Sequence, residues 1–398
     1  MKTPTPEQVR YWRWTRQRVN AAHGASAGEV LAETGWMRSV GGAGPYLGLF
    51  ARAGLSRAAV DAELAALAIH ELPSARGCTY VVPSADYAVA LRAGQGHGDA
   101  AELATAKKFL GVTDGEVDKL CRAILDALAK GPADPKDLKE SLGGAVRHLG
   151  DAGKKRGMTT TLPLGLGRLQ SRGEIRRVPV NGRLDQQRYQ YARWSPSPLA
   201  KDRRSDDEVA RELGARFFRW AAPATPAQLA WWAGLGARAA RSVAAELKLV
   251  PFADGDERLM FADDRDALAA CKPPKQPDVA LVGSLDNLFH PRRELASMVD
   301  ADDAARPMPG EKQQLSTVLD LPHHAIVDRG RLVGVWQYEV ESQSIVHATF
   351  GKATPAVARA VESMAAFITR DLGDARSFSL DSPESRKPAL AALRAAAR

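Results

Sequence analysis

Apolar positions recur along the chain in one order: short helical stripes, then two runs of strand-forming residues about a turn. The order is plainest over 158–194, where Leu162, Leu166 and Leu169 keep helical spacing and Gly173 supplies a stop. β-rich runs at 175–180 and 188–194 follow, on either side of the turn dipeptide Asn181-Gly182. A helix succeeded at once by a hairpin is the closing half of a winged helix-turn-helix unit. The same order occupies 27–83, with helices at 27–34, from Pro45 to Arg52 and from an N-cap at Ser56 to about Leu67, then strands at 68–72 and 78–82. A third copy has helices at 207–221, 228–233 and 237–247 and strands at 249–253 and 258–262, turned at Asp254-Gly255-Asp256. Thr225-Pro226-Ala227-Gln228 spells an N-cap, a first-turn proline and a capping glutamine, as do Thr5, Pro6 and Gln8 near the start. Three helix–hairpin units in series are the dominant organisational signal.

The intervening segments complete the plan. A helical connector is expected over 84–108, a helix over 113–131 with Val117, Leu120, Ile124 and Leu128 as its stripe, a short helix at 135–142, and a Ser-Pro linker at 195–206. After Lys272-Pro-Pro-Lys275 the pattern becomes α/β: strands at 279–282, 325–327, 331–340 and 344–350, a helix from Thr354-Pro355 to about 372, and an alanine-rich tail over 374–398 ending in helix. The helix over 7–22 sets Arg10, Arg13, Arg16 and Arg18 among Tyr11, Trp12 and Trp14, whose aromatic side is read as the buried face. The fold class is therefore mainly α with small antiparallel β hairpins: tandem winged helix-turn-helix units plus a C-terminal mixed α/β domain. Boundaries are expected at 1–112, 113–200, 201–275 and 276–398.

Composition sharpens this in one direction. The chain of 398 residues carries a formal charge of +8, which suits an anionic partner where the charge is local. Seven arginines (168, 172, 176, 177, 183, 188 and 193) stud the 158–194 helix and hairpin, a pairing able to set charge against two neighbouring phosphate tracks. The third wing is acidic at its tip and is expected to pack on protein or face away from DNA. Gly35, Gly41, Gly42 and Gly44 punctuate one bend, where backbone can approach a ligand closely. Cys78, Cys121 and Cys271 are scattered without CxxC spacing, which argues against zinc fingers and a disulfide scaffold. His290, His323, His324 and His347 lack metal spacing. No Walker loop, GxSxG or strand-linked GxGxxG is present, so nucleotide hydrolysis, α/β-hydrolase and dinucleotide chemistry are disfavoured. No cofactor or metal is expected; the location expected is cytoplasmic and nucleoid-associated, with no membrane contact.

Three tandem winged helices followed by a small mixed domain resemble the bacterial interstrand-crosslink-repair DNA glycosylases, the AlkZ-like and YcaQ-like winged-helix family. Arg76-Gly77 sits where that family commonly has Arg-Gly in its first wing. Ser284-Leu-Asp-Asn-Leu-Phe-His-Pro-Arg-Arg293 is similar to its Asp-containing segment, and Ile326-Val-Asp-Arg-Gly-Arg-Leu-Val-Gly-Val-Trp336 to its C-terminal hairpin. Together these cover nearly the whole chain in the right order. The family's catalytic signature is Gln-x-Gln or Gln-x-Asp after a glycine of the first unit; here Gly35 is followed by Trp36-Met37-Arg38-Ser39.

The resemblance implies a monofunctional glycosylase that grips damaged or crosslinked double-stranded DNA as a monomer and hydrolyses the N-glycosidic bond of alkylated or bulky-adduct bases. That chemistry needs a positioned water beside an oxocarbenium-like sugar. The expected catalytic set is Ser39, Arg38 and Asp286, the last by family position, with Glu33 and Glu71 as more remote acids. The expected DNA contacts are Thr160, Arg168, Arg172, Arg176, Arg177 and Arg188, together with Arg76 and Arg292. The missing glutamines keep a catalytically silent DNA-binding protein open, either a regulator or a damage sensor. A weaker third reading is a small-molecule-sequestering protein with a cleft lined by 41–44 and tryptophans.

Overall fold

Residues 3–21, 24–185 and 188–397 are described by a computed structural model. Thr5 and Gln8 form the expected capping box at the head of helix Pro6–Arg16. This helix buries Val9, Trp12 and Trp14, and also Arg10 and Arg13. Arg10 pairs with Asp300 at 2.8 Å and Arg13 donates to the Pro223 carbonyl at 2.7 Å. The opening helix is thus a strap across later segments, its arginines spent on protein. Position 22, the expected end of that helix, and position 398 lie outside the described residues.

The first unit comprises helices Ala27–Thr34, Gly44–Ala53 and Arg57–Ala65 and a three-stranded sheet of β1 (Met37–Arg38), β2 (Ile69–Pro73) and β3 (Thr79–Pro83). The sheet order is β1-β3-β2, antiparallel throughout. Strand β1 has two residues, too few to leave a period-2 signature, and forms because β3 offers it a free edge. The connector expected as one helix breaks at 95–97 into Tyr87–Gly94 and Gly98–Leu110. The second unit contains helices Asp114–Leu128, Pro135–Leu142 and Leu162–Ser171 and the hairpin β4 (Ile175–Pro179) with β5 (Tyr189–Arg193).

The third unit keeps the same order, with helices Asp206–Ala221, Pro226–Ala233 and Ala237–Glu246. Its hairpin shrinks to β6 (Val250–Pro251) and β7 (Leu259–Met260), because helix Ala262–Ala270 begins where the longer strand was expected. At its acidic tip Asp256 is neutralised by Arg258 at 2.6 Å. The C-terminal domain is an antiparallel sheet of β8 (Val279–Val282), β9 (His324–Asp328), β10 (Arg331–Glu339) and β11 (Ser344–Thr349), with helices Pro355–Phe367 and Pro383–Ala396. This is the expected class: helix–hairpin units followed by a mixed α/β domain.

The apolar clusters do not follow the four expected segments. One cluster joins first-unit Leu31, Tyr46 and Leu47 to C-terminal Ile326, Trp336 and Phe367. Another joins first-unit Trp36 and Tyr80 to third-unit Phe217, Trp220 and Trp232. Trp36 is the hub of the latter, 1% exposed, with ring centroids 5.5 Å from Trp220 and 6.0 Å from Trp232. Its indole N–H reaches Asp86 at 2.7 Å, and Asp86 in turn holds Arg216 at 2.6 Å. Truncating a buried Trp of this kind costs about 3–5 kcal/mol. The second unit has a cluster of its own, drawn from residues 106–191, while its hairpin residue Leu184 is buried in the first unit's cluster.

Candidate functional site

Sheet register decides which first-unit side chains can meet. Across the sheet, Met37, Val81 and Glu71 occupy one row and Arg38, Tyr80 and Leu72 the next. Successive strand residues face opposite sides, so Arg38 lies on the side of Tyr80, whereas Ser39 follows Met37 back to the side of Glu71. The Ser39 amide donates to the Thr79 carbonyl at 3.0 Å, which fixes the strand end, and its hydroxyl donates to Glu71 Oε1.

Glu71 is 5% exposed, and its second oxygen, Oε2, has no hydrogen-bond partner. Burial pushes the carboxyl above the usual carboxylate range, against the Ser39 hydroxyl and the nearby Arg177 charge, which favour the anion. A buried carboxyl held by the Ser39 hydroxyl, with the Tyr189 hydroxyl and the Arg177 charge close by, is placed to accept a proton from water. Arg177 and Tyr189 come from the second unit's hairpin, where the guanidinium carbon lies 5.2 Å from the ring centroid. The Tyr189 phenol is itself pushed up, first by burial and then by the Glu71 charge. Next to Glu71, His70 has both ring nitrogens unpartnered, and burial with the nearby Arg176 brings its pKa down to about 3.

Arg177 and Thr79 also line a cavity of about 650 Å³ between the first and second units. Leu91, Gly94, Leu162, Leu166 and Tyr191 supply apolar wall, and Thr160, Gln170, Lys136 and Lys139 supply polar groups. Ser39 and Glu71 do not line it themselves; Thr79, whose carbonyl holds the Ser39 amide, and Arg177, beside Glu71, stand between the pair and a space large enough for a bulky planar group.

Several expected residues stand elsewhere. Asp286, expected as a catalytic acid, is tied bidentately to Arg52, each oxygen 2.8 Å from a guanidinium nitrogen, with side chains 3% and 0% exposed. That pair is an internal strut, with both carboxylate oxygens already engaged and none left to orient a water. Glu33 pairs with Arg18 at 2.6 Å near the surface. Arg292, expected at DNA, is 4% exposed and donates to the Ala221 carbonyl at 3.2 Å and to the Leu288 carbonyl, which leaves no face for a phosphate. Arg168 is held by Asp118 at 2.7 Å and Asp114 at 2.8 Å, so its charge is neutralised within the second unit.

Arg172 lies half-exposed at 3.9 Å from Asp118, and Arg188 is exposed on the hairpin. Arg176 is half-buried beside Tyr87 and His70, so the arginine-rich wing packs its root against the first unit's hairpin. Thr160 is buried in the cavity wall. The glycine bend packs on the C-terminal domain: a Cβ on Gly42 would stand 2.4 Å from the Ser377 carbonyl oxygen, and the Ala43 amide donates to the Arg376 carbonyl at 2.9 Å. Sequence reasoning ranked Glu71 low and passed over Tyr189; the polar Ser-Glu coincidence across a sheet is invisible until register is known. Among the described residues no group of three metal-binding side chains converges, and no helix is long and apolar enough to cross a membrane.

The chain superimposes on the Streptomyces sahachiroi DNA glycosylase AlkZ with a TM-score of 0.69 at 20% identity, covering 95% of this chain and 99% of that one. No curated protein matches the chain. The family model described as DNA glycosylase AlkZ-like matches residues 37–367, from the strand bearing Arg38 to the end of helix Pro355–Phe367. This protein therefore belongs to the AlkZ-like DNA glycosylase family.

Proposed function

We propose that the protein excises alkylated or bulky-adduct bases from duplex DNA by hydrolysing the N-glycosidic bond, with Glu71 in the role the family gives to a glutamine side chain. The observation that carries this reading is the Ser39–Glu71 pair, buried on one face of the first-unit sheet with one carboxylate oxygen unpartnered, linked through Thr79 and Arg177 to a cavity of about 650 Å³. In the proposed step the base–C1′ bond breaks and its electron pair leaves with the base. A base alkylated on a ring nitrogen already carries positive charge and departs without a protein acid. The ionised Glu71 faces the oxocarbenium-like sugar and takes a proton from the water that attacks C1′. Ser39 fixes the rotamer of Glu71, and Arg177 favours its anionic form. The cavity receives the adduct, which removes the need to close a tight pocket around a fully flipped base. Such activity belongs at the nucleoid.

A duplex carrying one N-alkylated purine tests this. Wild-type protein should release the base and leave an alkali-labile abasic site, and Glu71→Gln should bind the duplex without cleaving the bond. A second reading, a catalytically silent DNA-binding protein, is favoured by Met37 and Ser39 standing where the family carries glutamine; Met37 is 6% exposed and packed in the core. Duplex binding with no abasic product from the wild type would establish that second reading and remove the first.

A further inference from the structure

The face of the sheet opposite Glu71 carries a second cluster that base excision does not use. Arg38 leans over Tyr80, its guanidinium carbon 5.6 Å from the ring centroid, while Nη1 donates to the Thr79 carbonyl at 3.0 Å. Arg76 sits in the left-handed region, φ +58°, in the turn between β2 and β3. That backbone turn throws its guanidinium over Trp231 of the third unit, 4.1 Å from the ring centroid. Gly234, at the end of the same third-unit helix, lies so close that a Cβ there would stand 3.1 Å from the Arg76 Cα, so the turn and Trp231 are locked together. From the C-terminal domain, Arg293 reaches Trp231 at 5.0 Å and His290 meets its ring edge-on at 5.6 Å. Three separate parts of the chain thus converge on one indole.

The charge balance of this cluster does not close within the protein. Arg293 is answered by Asp320. Arg38 and Arg76, both half-buried, make no ion pair among the described residues, and the nearest side-chain atom offered to Arg76 is Cys78 Sγ at 3.9 Å. His290 is 7% exposed, and its Nε2 is buried without a partner. Burial first, then Arg38, Arg76 and Arg293, hold its pKa down to about 4, against an opposing contribution from Asp320. The neutral ring then has an N–H to donate if Nε2 carries the proton. Two uncompensated guanidinium groups and a buried ring nitrogen lacking a partner are the complement of a monoanion with several oxygens. Trp231 covers one face of the Arg76 guanidinium and leaves its in-plane N–H donors free, the arrangement that grips phosphate bidentately.

We propose that Arg38, Arg76 and His290, backed by Trp231, form a clasp for one phosphodiester of the DNA strand that carries the target base. The proposal rests on the DNA reading above. Its functional content is registration. Arg38 is the chain neighbour of Ser39, about 3.8 Å away between Cα atoms, and successive nucleotides advance about 3.4 Å along the duplex axis. The two side chains face opposite sides of the outer strand β1, so a phosphate held by Arg38 fixes where the DNA strand passes round that strand, and with it which sugar reaches the side of Ser39 and Glu71.

The test uses the full-length protein and a duplex bearing a single stable abasic-site analogue, with binding followed by fluorescence anisotropy across a salt series. Arg38→Gln with Arg76→Gln should flatten the plot of log K against log salt by about one. A single neutral methylphosphonate is then walked along the strand bearing the analogue. Wild type should lose about tenfold in affinity at one linkage close to the analogue, and the double variant should lose nothing further there. Tight binding with an unchanged salt slope, or a wild-type scan with no sensitive linkage, overturns the clasp while leaving the DNA reading intact. The scan needs only the wild type, so misfolding of the variant cannot rescue the idea. Failure of the wild type to bind any duplex overturns both.

Discussion

Removing the Asp286 carboxylate separates an internal strut from a catalytic group. Arg52 is fully buried; its two terminal nitrogens donate to Asp286 at 2.8 Å each, and it also reaches the Gly48 carbonyl at 3.1 Å and Gln17 Oε1 at 3.0 Å. Asp286→Ala strands that guanidinium with only neutral acceptors. Breaking one side of a buried pair costs about 3–5 kcal/mol, because the survivor is a desolvated charge. A cooperative unit of 150–250 residues loses about 2–4 °C per kcal/mol, so a fall in Tm on the order of 10 °C is expected. Asp286 also accepts the Leu288 amide at 2.9 Å, so the segment that presents His290 and Arg293 should loosen. Replacing both partners, Arg52→Met with Asp286→Leu, should recover most of the loss, since an apolar pair of similar volume is often neutral. Thermal denaturation by circular dichroism reads the stability, and base release at 20 °C reads turnover in variants that remain folded. A single variant with wild-type Tm and no turnover would refute the strut and return Asp286 to the reaction.

Glu71→Gln should abolish base release and yet raise Tm at pH 7. Burial raises the folded-state pKa, so the stability attached to the protonated acid is present below the unfolded value, about 4.3, and lost as pH rises through the folded one. The gain should therefore fade below pH 4, and a variant no more stable than wild type at neutral pH would count against the desolvated acid. Three buried histidines act in the opposite sense: His70 is held down to about 3, and His290 and His324 to about 4, chiefly by burial. Their stability is present above the unfolded value of about 6.5 and lost as pH falls toward the folded ones. Each should contribute about 1.4 kcal/mol per pH unit to acid destabilisation between pH 6 and 4, measurable as a steep fall in urea midpoint; a flat profile there would contradict it. Arg168→Ala should lower the stability of the second unit and leave the salt dependence of DNA binding unaltered, because Asp114 and Asp118 already neutralise it. A slope flattened by about one in that variant would restore Arg168 as a phosphate contact.

Much of the architecture could be read from periodicity and caps. Thr5, Ser56, Thr225 and Thr354, each marked as a cap by the sequence, all accept from the first turn of their helices. Those signals are local, which is why they survive without tertiary context. What stayed hidden is long-range. Charge alone marked Arg292 as a DNA contact, but burial and two carbonyl acceptors decide otherwise. The wing arginines 176 and 177 read as a phosphate track, yet the β4 strand lies beside β2 and turns them toward His70 and Glu71. Glu71 acquires its meaning only from the pairing of β2 with β3, which brings it across to Ser39. No spacing along the chain encodes that 32-residue meeting.

The solitary core of the second unit has a mechanical consequence. Elsewhere the oily interiors run from one segment into another, so the first, third and C-terminal parts move as a block. The second unit meets that block through Arg176, Arg177 and Tyr189, and its hairpin is pinned there by Leu184, buried in the first unit's cluster, and by Arg183 on the Leu372 carbonyl. Any swing that widened the adjoining chamber would first have to draw Leu184 out of that cluster and its amide off the Tyr46 hydroxyl. The seam between the two cores thus runs beside the buried Glu71 carboxyl and is bolted at its far end by a leucine.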